Sequence, residues 1–231
     1  MFLSNGKSLK AHAIIIATGG TPRKLGVPGE IEFLGRGVSY CAKCDGFFFQ
    51  DRVVTVVGGG DTALEEALYL SKLASKVYLV HRRDAFKASK ILQKRISESS
   101  VGLVMNSIVT EIRANEDGVD SIGVKGLLSG KASTIETEGV FIFVGLLPNN
   151  GIVLPGINLD SSGYAVTDEK CATSIPGIYV AGDLKRKFAK QIVVAAAEGC
   201  TAALAAADYI DEKKGELGIC DERSRWTGPQ V

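Results

Sequence analysis

The sequence predicts an α/β protein in which one α/β domain is inserted between two pieces of another. Residues 53–80 hold a buried strand, a glycine turn, a helix and a second strand, which is the size of one βαβ unit. Stretches with proline and glycine near residues 24 and 149 separate this region from apolar segments on both sides. We therefore expect an inserted domain at residues 24–148 and a second domain built from residues 1–23 and 149–231.

Each element follows from the spacing of its apolar residues. The continuous β-branched run Ile14-Ile15-Ile16 is typical of a strand buried on both faces. In the central helix, Ala63, Ala67 and Leu70 share one face, and the helix should stop near Ser75. The predicted strands are residues 11–17, 53–57, 76–80, 108–112, 122–127, 134–137, 140–144 and 178–181, and the predicted helices are residues 62–75, 86–96 and 191–209.

Composition argues against several classes of protein. The 27 basic and 26 acidic side chains leave a net charge of only +1, too small an excess for binding to a nucleic-acid backbone. The sequence contains no uninterrupted run of about 18 apolar residues, which is the length that a membrane helix needs. Residues 1–7 lack the basic and then apolar pattern of a signal peptide. We expect a cytoplasmic protein that binds neither nucleic acid nor membrane.

The turn after strand 53–57 fits the fingerprint of a dinucleotide-binding loop, Gly58-x-Gly60-x-x-Ala63. Backbone N–H groups at the start of a helix carry the positive end of its dipole and can approach a pyrophosphate closely. The alternative is a glycine-rich turn that only lets the helix pack against the sheet. We expect Gly58, Gly60, Asp61, Thr62 and Ala63 to bind the cofactor.

The end of the next strand indicates which dinucleotide binds. An NAD site places an acidic residue about 20 residues further on, whereas a 2′-phosphate requires arginine. Here Arg82 lies 22 residues after Gly60 and is flanked by His81 and Arg83. Guanidinium groups suit a phosphate dianion, and Lys87 could add a further positive charge. These residues favour NADPH, and the alternative is a solvated cluster of charges.

A pair of cysteines spaced as C-x-x-C, Cys41 and Cys44, indicates a redox-active dithiol in a chain of this kind. Asp45 could protonate the departing thiolate, or it could simply cap a turn or helix. Zinc is the main alternative, but a structural zinc site needs four ligands. The remaining candidate ligands are isolated in sequence, namely Cys171, Cys200, Cys220, His12 and His81. A nicotinamide and a dithiol are normally bridged by a flavin, so FAD or FMN is also implied.

These motifs stand in the order seen in low-molecular-weight bacterial thioredoxin reductases, which the chain resembles over nearly its whole length. The resemblance rests on residues 41–46, 58–63 with 65–67, 81–83, and 177–183. It implies that the inserted domain is Rossmann-like, binds NADPH and carries the cysteine pair. It also implies that the terminal segments form an incomplete Rossmann-like domain for FAD.

The resemblance also implies roles for individual residues. Cys44 resembles the sulfur that faces the flavin, Cys41 the sulfur that exchanges with thioredoxin, and Asp45 the acid. The flavin contacts that it implies are Thr18, Gly19, Gly182, Asp183, Gln191 and Ile192.

The chain departs from this family at its start. Family members begin with a βαβ segment for the FAD pyrophosphate, which needs about 30 residues, and only ten residues precede residue 11. We therefore expect either a fragment or a truncated homologue with impaired flavin binding. At Lys87 the family often has arginine, so the charge is kept but the bidentate geometry is lost.

The first functional hypothesis is an NADPH-dependent disulfide reductase acting on thioredoxin or a similar small dithiol protein. A homodimer is the assembly considered for this reductase. One alternative is the flavoprotein component of a peroxiredoxin-reducing system. The other is a non-catalytic NADPH-binding remnant that has lost its flavin. A yellow purified protein would favour the enzyme, and a colourless protein that still binds NADPH would favour the remnant.

Overall fold

A computed structural model describes residues 5–216 of the chain. The chain divides into a terminal unit, formed by Met1–Thr21 and Leu147–Val231, and an inserted unit, formed by Pro22–Leu146. Residues 1–4 and 217–231 lie outside the described residues, and with them lie Cys220 and most of the segment considered for a signal peptide. The predicted α/β class, with one unit inserted between two pieces of another, is confirmed.

The elements of the described residues are numbered in chain order. The strands are β1 (Ile14–Ile16), β2 (Gly20–Pro22), β3 (Val38–Ser39), β4 (Val53–Gly58), β5 (Lys76–Val80), β6 (Gly102–Val104), β7 (Ser107–Asn115), β8 (Gly118–Gly126), β9 (Ala132–Glu136), β10 (Gly139–Phe143), β11 (Leu146–Pro148) and β12 (Ile178–Val180). The α-helices are α1 (Ala42–Asp45), α2 (Asp61–Leu70), α3 (Lys90–Ser97) and α4 (Ile192–Glu216), with 3-10 helices at Gly46–Phe49 and Gly182–Leu184.

The inserted unit is built around a five-stranded parallel sheet with the order β3-β10-β4-β5-β6. Its register pairs Val57 with Val80 and Gly58 with Phe143. The carboxyl ends of β4, β5 and β10 therefore meet at one edge of the sheet. In open α/β sheets, ligands bind in the crevice outside this edge.

Both faces of this sheet are covered, because successive side chains of a strand point to opposite sides. Val56 of β4 joins a core with Leu64 of α2 and Leu92 of α3. The next residue, Val57, joins a second core with Ile122 of β8. The antiparallel meander β7-β8-β9 thus covers the face opposite the helices, and the sheet that carries the glycine turn is held from both sides.

The terminal unit contains a parallel pair of strands, β1 and β12, and the long helix α4. Ala202 and Ala206 are the buried residues of α4, and small side chains there permit a close approach of the helix to its neighbours. The hydroxyl of Tyr179 in β12 donates a hydrogen bond to the carbonyl of Ala205 at 3.0 Å. This contact ties the helix to the strand that precedes Gly182.

Within residues 5–216, α4 is long and apolar enough, by length and composition, to cross a bilayer. Sequence inspection missed this because alanine dominates the helix and no long run of large apolar residues is present. A single helix of this kind is weak evidence, since a core helix of a soluble protein passes the same test. The expectation that the protein avoids membranes stays a prediction.

Three predicted helix boundaries are wrong by more than three residues. Helix α4 ends at Glu216 rather than near residue 209. Helix α2 ends at Leu70 rather than near Ser75, and residues 71–74 form turns that lead into β5. Helix α3 begins at Lys90 rather than at residue 86. The N–H of Lys87 donates to the carbonyl of Gly59 at 2.8 Å. That backbone group is therefore used to hold a loop against the glycine turn and not to extend a helix.

Short elements escaped sequence reasoning. The strands β2, β3, β6 and β11 have two or three residues each, too few to show an alternating pattern. Helix α1 is a single turn that contains the second cysteine. The predicted strand 76–80 is confirmed as β5, and the strands predicted at 53–57 and 140–144 differ from β4 and β10 by one residue at their ends.

Candidate active site

Cys41 and Cys44 form a disulfide in the inserted unit, with their Cα atoms 5.3 Å apart. Cys41 is the N-cap of α1, and its Sγ accepts a hydrogen bond from the N–H of Cys44 at 3.2 Å. The cap is possible because Cys41 is extended, with φ −145° and ψ 99°. Cys44 is exposed in this conformation and Cys41 is half-buried.

Asp45 is connected to the disulfide through a buried hydroxyl. The Oγ of Ser39 donates to Asp45 Oδ2 at 2.6 Å and accepts from the N–H of Cys41 at 3.0 Å. Ser39 ends β3 and is only 4% exposed. Sequence reasoning missed Ser39, although a serine two residues before a turn is a known local hydrogen-bonding signal.

A buried carboxylate holds the residue that precedes the disulfide. Glu30 is 1% exposed and accepts from the hydroxyl of Tyr40 at 2.8 Å. It also accepts from the backbone N–H groups of Leu25 and Gly26 at 2.9 and 2.7 Å. Burial and the hydrogen bond to Glu30 raise the pKa of the Tyr40 phenol. Nothing in the linear pattern marks Glu30, because its partners lie four, five and ten residues away.

An exposed aromatic pair follows the cysteines. Phe47 and Phe48 are 70% and 73% exposed, although Phe49, next in the chain, packs against Phe141 in the core. Phe48 lines a groove of about 840 Å³ whose charged walls include Arg36, Arg52, Asp117 and Glu136. Two adjacent large apolar side chains are thus left exposed to solvent close to the disulfide in sequence.

The glycine turn joins β4 to α2 at the edge of the sheet where the carboxyl ends of the strands meet. A Cβ on Gly58 would lie 2.4 Å from the carbonyl oxygen of Phe143 and 2.6 Å from the Cβ of Ala63. A Cβ on Gly60 would meet nothing within 4 Å. Gly58 is thus required by packing against the helix, whereas the space beside Gly60 is open for a ligand to approach the backbone.

The first helical turn of α2 combines exposed and buried residues. Asp61 and Thr62 are exposed, and Ala63 is fully buried against the sheet. Asp61 Oδ1 accepts from the N–H of Ser89 at 2.7 Å, which brings the loop before α3 to the glycine turn. Gly60 is the N-cap and has no side chain to occupy the free N–H groups of this turn.

The structure separates His81 from its predicted partners. His81 is 8% exposed, and its ring lies where a Cβ on Gly59 would be, at 2.1 Å from Cε1. Its Nε2 is 3.1 Å from the carbonyl of Ala85, so the ring supports the glycine turn from below. By contrast, Arg82, Arg83 and Lys87 are exposed, and in the part of the chain that the structure describes no ion pair engages them.

The flavin candidates of the terminal unit carry many internal contacts. Thr18 Oγ1 donates to the carbonyl of Asn149 at 2.6 Å, and the Nδ2 of Asn149 donates to the carbonyl of Thr18 at 2.9 Å. Gly19 has φ +71°, and a Cβ there would meet nothing within 4 Å. The space beside Gly19 is therefore open, although its carbonyl accepts a hydrogen bond from the N–H of Asn149 at 3.0 Å.

The second flavin candidate group surrounds the start of α4. The N–H of Gly182 donates to Glu198 Oε2 at 3.0 Å, and Asp183 Oδ1 is 3.2 Å from Lys187 Nζ. The same Glu198 oxygen is 2.8 Å from Lys187. Sequence reasoning missed both Glu198 and Lys187. Two more candidates precede and begin the helix, the half-buried Gln191 and the exposed Ile192.

The described residues, 5–216, contain no group of three or more histidine, cysteine, aspartate or glutamate side chains that could hold a metal ion. Cys171 is a buried free thiol and Cys200 an exposed one. Within the inserted unit, the structure brings the cysteine pair together with Asp45. In the same unit it brings the glycine turn together with the loop after β5.

Comparison with known proteins agrees with this arrangement. A family model described as pyridine nucleotide-disulphide oxidoreductase matches residues 2–199. A thioredoxin reductase of Listeria innocua is 46% identical over 215 residues, which is 93% of this chain and 67% of the relative. A thioredoxin reductase of Treponema pallidum is 44% identical over 202 residues, which is 87% of this chain and 65% of the relative.

Solved structures give the same result. Thioredoxin reductase from Streptococcus pyogenes superposes with a TM-score of 0.82 at 44% identity, covering 87% of this chain and 66% of that one. Thioredoxin reductase from Giardia duodenalis superposes with a TM-score of 0.85 at 38% identity, covering 90% and 69%. The chain thus spans about two thirds of the length of these proteins. It belongs to the pyridine nucleotide-disulphide oxidoreductase family and, within that family, to the thioredoxin reductases.

Proposed function

We propose that the protein is an NADPH-dependent flavoprotein disulfide reductase. Electrons would pass from NADPH through FAD to the Cys41–Cys44 disulfide, and then to thioredoxin or a similar small dithiol protein. The observation that carries this proposal is the combination, within one unit, of a disulfide and an open glycine turn beside unpaired arginines. The names of the relatives support thioredoxin as the partner.

The inserted unit fits NADPH. The open space beside Gly60 and the free N–H groups of the first α2 turn suit a pyrophosphate. Arg82 and Arg83 follow β5, whose carboxyl end lies beside that of β4 in the register of the sheet. Their unpaired guanidinium groups suit the 2′-phosphate, and Lys87 adds charge nearby. Given its burial, His81 would act by supporting Gly59 rather than by touching the cofactor.

The terminal unit would hold FAD, which when bound converts a hydride from NADPH into the electron pair that opens a disulfide. The open space beside Gly19 and the exposed start of α4, with Gln191 and Ile192, fit an extended cofactor. Thr18, Gly182 and Asp183 are bonded within the protein and would have to exchange those contacts for flavin contacts. FAD rather than FMN is favoured by the family to which the chain belongs.

The two sulfurs would take different roles. The N–H of Cys44 donates to Cys41 Sγ, and a donor of this kind favours a thiolate on Cys41. This supports Cys41 as the sulfur that exchanges with the protein substrate, and leaves Cys44 to face the flavin. Asp45, tied to Cys41 through Ser39, would supply the proton to the departing thiolate.

The exposed pair Phe47 and Phe48 and the groove beside Phe48 would dock the dithiol protein. Apolar side chains next to the disulfide bury area on binding, and the charged walls with Arg36 and Glu136 would orient the partner. We further propose a cytoplasmic location, assembly as a homodimer, and no binding of nucleic acid or membrane. The balanced charge of +1 is the support for excluding nucleic acid.

The decisive experiment supplies the third of the relatives' length that this chain does not span, by fusing the unmatched part of the Listeria innocua enzyme to it. With FAD, NADPH and oxidised thioredoxin, the fusion should consume NADPH and release thioredoxin thiols. Cys41→Ser should abolish the reaction. Cys200→Ser, which changes an exposed free cysteine, should retain it.

Each contrary result identifies an alternative. Activity with a disulfide peroxiredoxin partner but not with thioredoxin would favour the peroxiredoxin-system reductase. NADPH binding without flavin binding in the fusion would favour the non-catalytic remnant. Equal turnover by the fusion and its Cys41→Ser variant would overturn the dithiol mechanism itself.

A further inference from the structure

A buried carboxyl group beneath the redox helix is not used by the reaction described above. Glu66 lies on α2 and is only 8% exposed, although glutamate is rarely buried to this degree without a partner. Its Oε2 has no hydrogen-bond partner. Its Oε1 is 3.5 Å from the Nζ of Lys43. A half-paired buried carboxylate is costly, so its presence calls for a physical explanation.

Lys43 connects Glu66 to the disulfide. It lies between Cys41 and Cys44 on α1, and its side chain is 60% exposed, so the ammonium group can move. Helix α1 is docked on α2 through Ala42, which is fully buried, and just after α1 a Cβ on Gly46 would lie 3.0 Å from Leu70. The ammonium of Lys43 is thus within reach of the buried Glu66 carboxylate on α2. The backbone of Lys43 belongs to the turn that carries both sulfurs.

The charges around Glu66 leave its protonation open to change. Burial raises its pKa above the ordinary value, Lys43 of α1 lowers it, and the neighbouring Glu65 of α2 raises it. Asp45, the other carboxyl of α1, is bonded to Ser39 instead. The elements α3, β4, β5 and β10, which also pack against α2, bring no further charge that shifts it. Lys43 is therefore the cation that opposes the rise in the pKa of Glu66.

We propose that Glu66 is a redox-linked proton site, which takes up a proton when the Cys41–Cys44 disulfide is reduced, because Lys43 then turns from the carboxylate to the new thiolate. This inference rests on the proposed function and names a positioning residue for it. Glu66 acts through Lys43 and touches no reacting atom.

The step balances with a dithiol as reductant. Its two thiols lose two electrons and two protons as they close to a cyclic disulfide, and the Sγ–Sγ bond of the protein breaks. One proton goes to one cysteine, which becomes a thiol, and the other cysteine remains a thiolate. The second proton goes to the Glu66 carboxylate instead of to solvent. Lys43 and the thiolate then form the ion pair, and the buried carboxyl is neutral.

The test is an infrared difference spectrum of the full chain, reduced minus oxidised, with dithiothreitol as reductant and a thiol count on the same sample. The wild-type protein should lose a carboxylate band and gain a protonated-carboxyl band on reduction. Glu66→Gln should lack both changes, whereas the matched control Glu65→Gln, which alters an exposed neighbour, should keep them. In Lys43→Met the carboxyl should already be protonated before reduction, so no change should appear.

A second readout is the equilibrium between the protein disulfide and dithiothreitol as a function of pH. Glu66→Gln should make reduction several-fold more favourable at neutral pH, because Lys43 is then always free for the thiolate, and its pH dependence should be weaker than that of Glu65→Gln. If the disulfide opens and no carboxyl signal changes, or if the signal survives in Glu66→Gln, this inference is wrong and the proposed function stands. If dithiothreitol does not open the disulfide reversibly, both are wrong.

Discussion

In two adjacent glycines of the turn after β4, the same substitution should have different effects, on stability at Gly59 and on NADPH binding at Gly60. In Gly59→Ala the new Cβ would lie 2.1 Å from Cε1 of His81, a ring that is 8% exposed and held by Ala85. Overpacking of this kind costs about 1–3 kcal/mol. At about 2–4 °C per kcal/mol for a chain of this size, Tm should fall by roughly 2–12 °C.

In Gly60→Ala the new Cβ meets nothing within 4 Å, and φ −95° with ψ 179° is open to alanine. We expect a loss of stability below about 1 kcal/mol, from the poorer N-cap alone. A bound pyrophosphate, however, would meet the methyl group. The affinity for NADPH should therefore fall by at least about tenfold, which is about 1.4 kcal/mol.

The assay pairs thermal unfolding, followed by circular dichroism, with calorimetric titration of NADPH for each variant. The expected result is that Gly59→Ala lowers Tm more than Gly60→Ala, while Gly60→Ala weakens NADPH at nearly unchanged Tm. If Gly60→Ala binds NADPH as tightly as the wild type, the glycine turn does not hold the pyrophosphate. If Gly59→Ala leaves Tm unchanged, the ring of His81 does not pack against the turn.

Three further predictions follow from the same structure. Replacing both Arg82 and Arg83 by alanine should weaken NADPH by one or more orders of magnitude, since each lost charge-assisted contact costs about 1.5–3 kcal/mol, and should leave NADH binding, measured by titration, little changed. The 231-residue chain by itself should bind FAD weakly, because its one glycine fingerprint is assigned to NADPH, and flavin fluorescence titration with and without the fused segment measures this. In the wild-type protein, the free energy of unfolding should fall as pH rises from the ordinary glutamate pKa of 4.5 through the raised pKa of Glu66. Urea unfolding of Glu66→Gln should not show this fall.

The sign of the last prediction comes from proton linkage. A carboxyl with a raised folded-state pKa binds its proton more tightly when folded, so its contribution to stability is present at low pH and is lost as pH rises. Glu65→Gln is the matched control, because Glu65 is exposed. Parallel pH curves for wild type and Glu66→Gln would contradict the argument. Equal losses of NADPH and NADH in the double arginine variant would contradict the 2′-phosphate assignment, and tight FAD binding by the chain alone would show that another segment holds the pyrophosphate.

Local patterns in the chain were sufficient for the centre of the fold. The strand at Lys76–Val80 and the glycine turn before α2 follow from β-branched runs, helical spacing and glycine, all of which act within a few residues. The ends of helices were less predictable. Helix α3 begins four residues later than its apolar spacing indicates, because a long-range hydrogen bond from Lys87 to Gly59 holds the preceding loop.

The sequence by itself determined the α/β class, the cysteine pair and the order of the nucleotide motifs, because these depend on neighbours along the chain. Only the tertiary structure decided which groups meet across it. It placed the ring of His81 under Gly59 instead of among the exposed arginines. It also brought Glu66, 23 residues away in sequence, beside Lys43. Such contacts depend on how whole elements pack against each other. The spacing of residues within one element does not predict which side chain of another element will contact it.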